Sequence, residues 1–179
     1  RFIKLHPGHP ATACAYYLRG LINFNRSLGF LDRFVPTDTA QRDPGAARES
    51  EKDLSEVVRL FANSEYAEDS ARRVLHLRNN LARHEVHVAS FYMRRGAFLA
   101  AANRAEFVVQ NYQRTPALRE ALELMIAAYT ALGMEDLAHD TQRVLALNEN
   151  TGALIDDPQD VAEKPFSQDL WEFFELDQN

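Results

Sequence analysis

Hydrophobic residues recur along this chain at three- and four-residue intervals almost throughout, the pattern of amphipathic helices. It predicts helices over about 9–26, 44–62, 67–94, 97–113, 116–132 and 134–148. The punctuation agrees. His9-Pro10 precedes the first helix, and Asp43-Pro44 and Thr115-Pro116 open the second and the fifth with a capping residue and a first-turn proline. Gly96 and Gly133 fall at helix-to-helix turns, where a left-handed residue is wanted. No stretch alternates convincingly enough to read as a strand. The opening RFIKLHP reads as the end of another amphipathic helix, stopped by a proline. A longer polypeptide is therefore expected upstream, carrying any targeting segment.

The helices also repeat. A shift of 37 residues lays Gly96 on Gly133, Ala101 on Ala138 and Val108 on Leu145. A shift of 51 lays Gly45 on Gly96, Leu54 on Ala105, Val57 on Val108 and Phe61 on Tyr112. These are successive second helices of helix–turn–helix units. The last unit, LMIAAYTALGMEDLAHDTQRVLALNEN, has the tetratricopeptide order of Tyr129, Gly133 and Ala138, in a repeat whose common period is about 34 residues. A long third helix and an inserted loop, 27–43, interrupt the period. The expected fold is all-α, a solenoid of tetratricopeptide-like repeats over residues 1–150. Residues 151–179 then read as an acidic linker and a short aromatic helical tail.

The run RRGAFLAAANRAEFVVQNY, residues 94–112, shows what stacking demands. On a helical wheel Ala97, Ala101, Ala105, Val108 and Tyr112 form one stripe, flanked by Phe98, Ala102 and Val109. Small residues there let neighbouring helices approach. Asn103, Glu106, Gln110 and Gln113 face the other way. Arg104 and Phe107 do not fit this division. Arg104 borders the core stripe, and Phe107 points outward beside Arg104 and Asn111. An outward Phe next to an Arg is a composition enriched at protein interfaces. The other reading is that Phe107 packs on the adjacent repeat while Arg104 snorkels along it.

Charge changes the picture at one end only. Of the net −6, residues 149–179 carry nine acids and one base, Lys164. The body is near neutral and rich in arginine, and it lacks the concentrated basic face of a nucleic-acid binder. No apolar run approaches the roughly 18 residues that span a bilayer. Cys14, the single cysteine, reads as a small buried core residue.

Candidate chemistry is sparse. His84-x-x-His87, with Glu85 and His76 nearby, is the one metal-like group, but it is not HExxH and lacks an identified third ligand. A solvated helix flank is the expected role of these residues. The pattern provides no nucleophile elbow, P-loop or dinucleotide fingerprint, so neither catalysis nor a cofactor nor a metal is expected. The doublets Arg72-Arg73 and Arg94-Arg95 read as solvated faces. Loop 27–43 carries Phe30, Leu31, Phe34 and Val35, and either caps its own repeat or offers a partner-binding edge. The tail's Leu170, Trp171, Phe173, Phe174 and Leu176 either cap the final repeat or reach a partner. Glu51 falls at a core edge where an apolar residue belongs, unless an arginine compensates it.

The segments HPATACAYYLRGL, DTAQRDPGAAR, NSEYAEDSARRVLHLRNNLARHEVHVASFYMRRGAF and AANRAEFVVQNYQRTPALREALELMIAAYTALGM carry a resemblance. The most specific parts are Asp38…Arg42-Asp43-Pro44 and Phe91-Tyr92…Arg95-Gly96-Ala97-Phe98 with Asn103-Arg104. Over residues 1 to about 150 the chain resembles the C-terminal three-fifths of the ComL/YfiO family, lipoprotein subunits of the bacterial β-barrel assembly machinery.

The resemblance implies five tetratricopeptide-like repeats in the whole protein. It implies a scaffold, not an enzyme, on the periplasmic face of the outer membrane in a Gram-negative cell. The lipid anchor would lie outside this chain. The implied partners are the barrel subunit, through its last POTRA domain, and accessory assembly lipoproteins. Unfolded outer-membrane proteins would be recognised by repeats largely missing here. The matching Asn103-Arg104 would lie on the face that docks the barrel subunit, with Arg95 in the same motif and Phe107 and Asn111 beside it. The alternative is a general peptide-binding tetratricopeptide adaptor.

Overall fold

The computed structural model describes residues 1–28, 44–152 and 154. Within them the chain forms α1 (Phe2–Leu5), α2 (Thr12–Leu28), α3 (Gly45–Leu60), α4 (Ala67–Arg94), α5 (Phe98–Asn111), α6 (Ala117–Ala131) and α7 (Glu135–Thr151). The described residues contain no strand. Each helix packs on the next, and α4 also packs on α6. This is the all-α, tetratricopeptide-like stack that the repeats predict. The inserted loop beyond α2, including Asp38, Arg42 and Asp43, lies outside the described residues, as does the aromatic tail.

Small residues set the spacing of the stack. Ala101, Ala102, Ala105 and Val108 of α5 are fully buried, and Tyr112 closes the end of the stripe. Ala105, Val108 and Tyr112 meet Leu81, Ala82, Val86 and Ala89 of α4, and Ala121 and Met125 of α6, in one apolar cluster, while Ala101 and Ala102 meet Ala128 of α6 in another. A second cluster joins Phe24 of α2, Leu54 of α3 and Leu77 of α4.

Three local expectations need correction. Ala97 is exposed, because it is the residue before the first turn of α5 and not part of its buried stripe. Cys14 is only half-buried, on the flank of α2. Thr115 does not cap α6; its hydroxyl donates to the Tyr112 carbonyl at 2.7 Å and ties down the end of the preceding helix.

The turn glycines behave as the pattern requires. Gly96 and Gly133 have φ of +72° and +71°. A Cβ at Gly133 would meet nothing within 4 Å, so replacing it strains the backbone alone. Gly133→Ala is expected to cost about 1–2 kcal/mol, the usual left-handed penalty for a residue with a Cβ. Thermal melting by circular dichroism checks this. The midpoint should fall by roughly 2–8 °C for a chain of this size, with helical content unchanged.

Candidate functional site

The helical wheel leaves Arg104 without a partner, and the structure supplies one. Glu85 on α4 is 1% exposed and lies in the stripe Leu81, Ala82, Val86 and Ala89. A carboxylate buried there needs counter-charge and hydrogen bonds. Arg48 of α3 donates from Nη2 to Oε1 at 2.7 Å, and Arg104 of α5 donates from Nη1 to Oε2 at 3.1 Å. The arginine side chains remain 45% and 47% exposed. Arg104 therefore has an inward contact and an outward surface. The expectation that Glu85 belongs to a solvated flank with His84 and His87 is wrong, because Glu85 turns into the helix junction. Among the described residues no three His, Cys, Asp or Glu side chains are grouped to hold a metal ion.

A second charge pair lies beside the first. Arg78 of α4 donates from Nη1 to Glu51 of α3 at 3.1 Å. Its Nη2 donates to the Asn111 carbonyl at 2.6 Å, satisfying a free acceptor at the C-terminus of α5. The same guanidinium lies 5.4 Å from the centre of the Tyr112 ring. Glu51 at the core edge is thus compensated by an arginine. Burial, and then Glu51, push the Tyr112 phenol above its ordinary pKa, while Arg48 pulls it down. The phenol stays neutral at physiological pH.

Phe107 completes the face. It is 39% exposed and meets Tyr112 edge-on, with ring centres 5.9 Å apart. Asn111 donates from Nδ2 to the Phe107 carbonyl at 2.9 Å. Phe107 and Arg78 therefore meet at Tyr112, with Asn111 joined through its carbonyl, while Arg104 lies about two turns back along α5 and is tied to Arg48 through Glu85. Asn103 is exposed, next to Arg104 on the same helix. Arg95 lies apart. It ends α4, over the Phe91 ring at 5.1 Å, ten residues or roughly 15 Å along that helix from Glu85.

Sequence reasoning missed Arg48, Arg78 and Glu85. Their signal was present: Glu85 interrupts an otherwise apolar stripe, and such an interruption requires partners from the neighbouring helices. The preceding repeat uses the same position. Arg104 matches Asp53 under the repeat, and Asp53, also buried, is held by Arg19 of α2, whose Nε donates to it at 2.5 Å. The helix-joining ion pair recurs with its charges exchanged.

Stacked helical hairpins with left-handed glycine turns and alanine-lined seams make this a tetratricopeptide-like repeat protein. More narrowly, it belongs to the YfiO family of outer membrane lipoproteins, whose profile matches residues 1–145. It is 45% identical to the outer membrane protein assembly factor BamD of Neisseria meningitidis serogroup A, over 83% of this chain and 55% of that protein. Identity to the BamD of Xylella fastidiosa strain Temecula1 is 38%, over 83% of this chain and 50% of that one. For the Vibrio cholerae protein of the same name the figures are 34%, 83% and 61%. The chain thus spans about half to three-fifths of these relatives.

Proposed function

We propose that this chain is the repeat region of a non-enzymatic scaffold subunit in outer-membrane protein assembly. It docks on the periplasmic POTRA region of the barrel subunit of the β-barrel assembly machinery. The observation that carries the reading is the exposed Phe107, one turn beyond Arg104 on α5, its ring against Tyr112, which Arg78 also meets. An exposed aromatic on an arginine-bearing face is a composition enriched at interfaces. The assembly-factor names of the relatives support the role. Asn103 extends this surface along α5, and Arg95, apart from it at the end of α4, is a separate contact of the same partner. Accessory assembly lipoproteins and unfolded outer-membrane proteins are further partners of the whole subunit. The family description supports a position at the periplasmic face of the outer membrane, through a lipid anchor outside these residues. No helix among the described residues is long and apolar enough to cross a membrane.

Phe107→Ala tests the reading without disturbing a buried charge. Titration against the purified periplasmic region of the cognate barrel subunit should show binding weakened about tenfold or more, the usual size of an aromatic anchor. Helicity should be retained. Binding equal to wild type would sink the assignment of this face.

A second reading, a peptide-binding adaptor, draws on a groove of about 320 Å³ between α5, α6 and α7. Val109, Leu118, Leu122 and Val144 supply its apolar lining and Gln113 and Asn148 polar groups. Val144→Glu would abolish peptide binding under that reading and leave barrel-subunit docking intact.

A further inference from the structure

An exposed arginine on a helix ordinarily samples many rotamers, and a partner that binds it must restrict them. Arg104 is not in that situation. Glu85 presents one carboxylate oxygen to Arg104 and the other to Arg48, at 3.1 and 2.7 Å. The two arginines come from α5 and α3, helices of successive repeats, and the carboxylate comes from α4 between them. Each guanidinium directs one nitrogen inward and keeps about half its side-chain surface outside. Five N–H donors per guanidinium leave several on each available to a partner.

The geometry points to Glu85 as a positioning residue and Arg48 as a second contact residue of the docking face. Glu85 holds Arg48 and Arg104 side by side at the junction of three helices. Without its charge between them the two cations would repel and separate. With it, a partner meets a prearranged pair of guanidinium groups spanning two repeats. Tyr112, beside Arg48 and against Phe107, links the pair to the aromatic anchor. This inference rests on the docking reading above, and it adds two residues that the repeat pattern does not single out.

A double-mutant cycle on the whole chain, read as affinity for the periplasmic region of the barrel subunit, tests it. Glu85→Gln keeps the side-chain volume and can still accept a hydrogen bond, and circular dichroism would confirm that it is folded. Glu85→Gln and Arg104→Gln should each weaken binding about tenfold, and Arg48→Gln about three- to tenfold. In the Glu85→Gln background, Arg104→Gln should cost less than about twofold more, because the arginine is already released. Phe107→Ala should keep its own factor in that background. Losses from Glu85→Gln and Arg104→Gln that multiply, or wild-type binding by Arg48→Gln, would overturn the inference while leaving the docking reading intact. Wild-type binding by Phe107→Ala would overturn the docking reading and this inference with it.

Discussion

Replacing Arg48 and Arg104 together by alanine is expected to destabilise the chain by about 3–5 kcal/mol, the usual cost of stranding a buried charge. Glu85 is almost wholly buried, and these two arginines hold both of its carboxylate oxygens. Removing one leaves the other as counter-charge, so each single substitution should cost much less than half of the pair's effect. Such strong non-additivity is expected for groups that share one partner. The asymmetry matters as much as the size. Glu85→Leu leaves two arginines that are already half in water and can swing outward, so it should cost less than the double arginine variant. Replacing all three, with methionine for the arginines and leucine for Glu85, should recover most of the lost stability. Chemical denaturation of the five proteins checks the order. Equal costs for Glu85→Leu and for the double arginine variant would show that the carboxylate reaches water by another route. For the same reason docking is tested with Arg104→Gln and not with Arg104→Glu. The substitution puts a second carboxylate against Glu85, so lost binding would not separate contact from folding.

The fold was legible to an unusual degree because its determinants are local. Helical period, proline starts and glycine turns are written in neighbouring residues, and α4 begins and ends where the pattern places it. The repeat made the stacking legible too, since a helix lined with Ala101, Ala102 and Ala105 makes sense only between two others. What stayed hidden depends on side chains that meet across helices. Arg48 and Glu85 lie 37 residues apart in sequence, and Arg104 a further 19. A wheel drawn for α5 alone places Arg104 at a border and stops there. It also places Phe107 outward correctly but cannot show Tyr112 turning an edge to it. Ala97 failed for a different reason: the wheel assumes that every residue is helical, and Ala97 precedes the first turn. Glu85 was grouped with His84 and His87 by residue type, when its place in an apolar stripe was the better guide.

Leu54→Ala is the other large effect, and it turns on a glycine in the facing helix. Leu54 of α3 is fully buried in the cluster with Phe24 and Leu77. Truncating a leucine in such a site costs about 2–5 kcal/mol, through lost transfer energy and the cavity left behind. The melting midpoint should fall by roughly 4–20 °C at this chain length. The space Leu54 fills exists because residue 20 of α2 is a glycine. A Cβ on Gly20 would lie 2.6 Å from Leu54 Cδ2 and 2.7 Å from its Cγ. The backbones are held close there, with the Ser50 hydroxyl donating to the Gly20 carbonyl at 2.9 Å. Gly20→Ala therefore sets two effects against each other. Alanine favours the helix by about 1 kcal/mol, and overpacking a tight core costs about 1–3 kcal/mol. The overlap is deep and Leu54 is fully buried, so a net loss is expected. In the double variant the new methyl occupies part of the cavity left by Leu54→Ala. The pair should then be less destabilised than the sum of the singles, by about 1 kcal/mol or more. Simple additivity in urea denaturation would mean that α2 and α3 move apart to accept the methyl, and that Gly20 does not set their spacing.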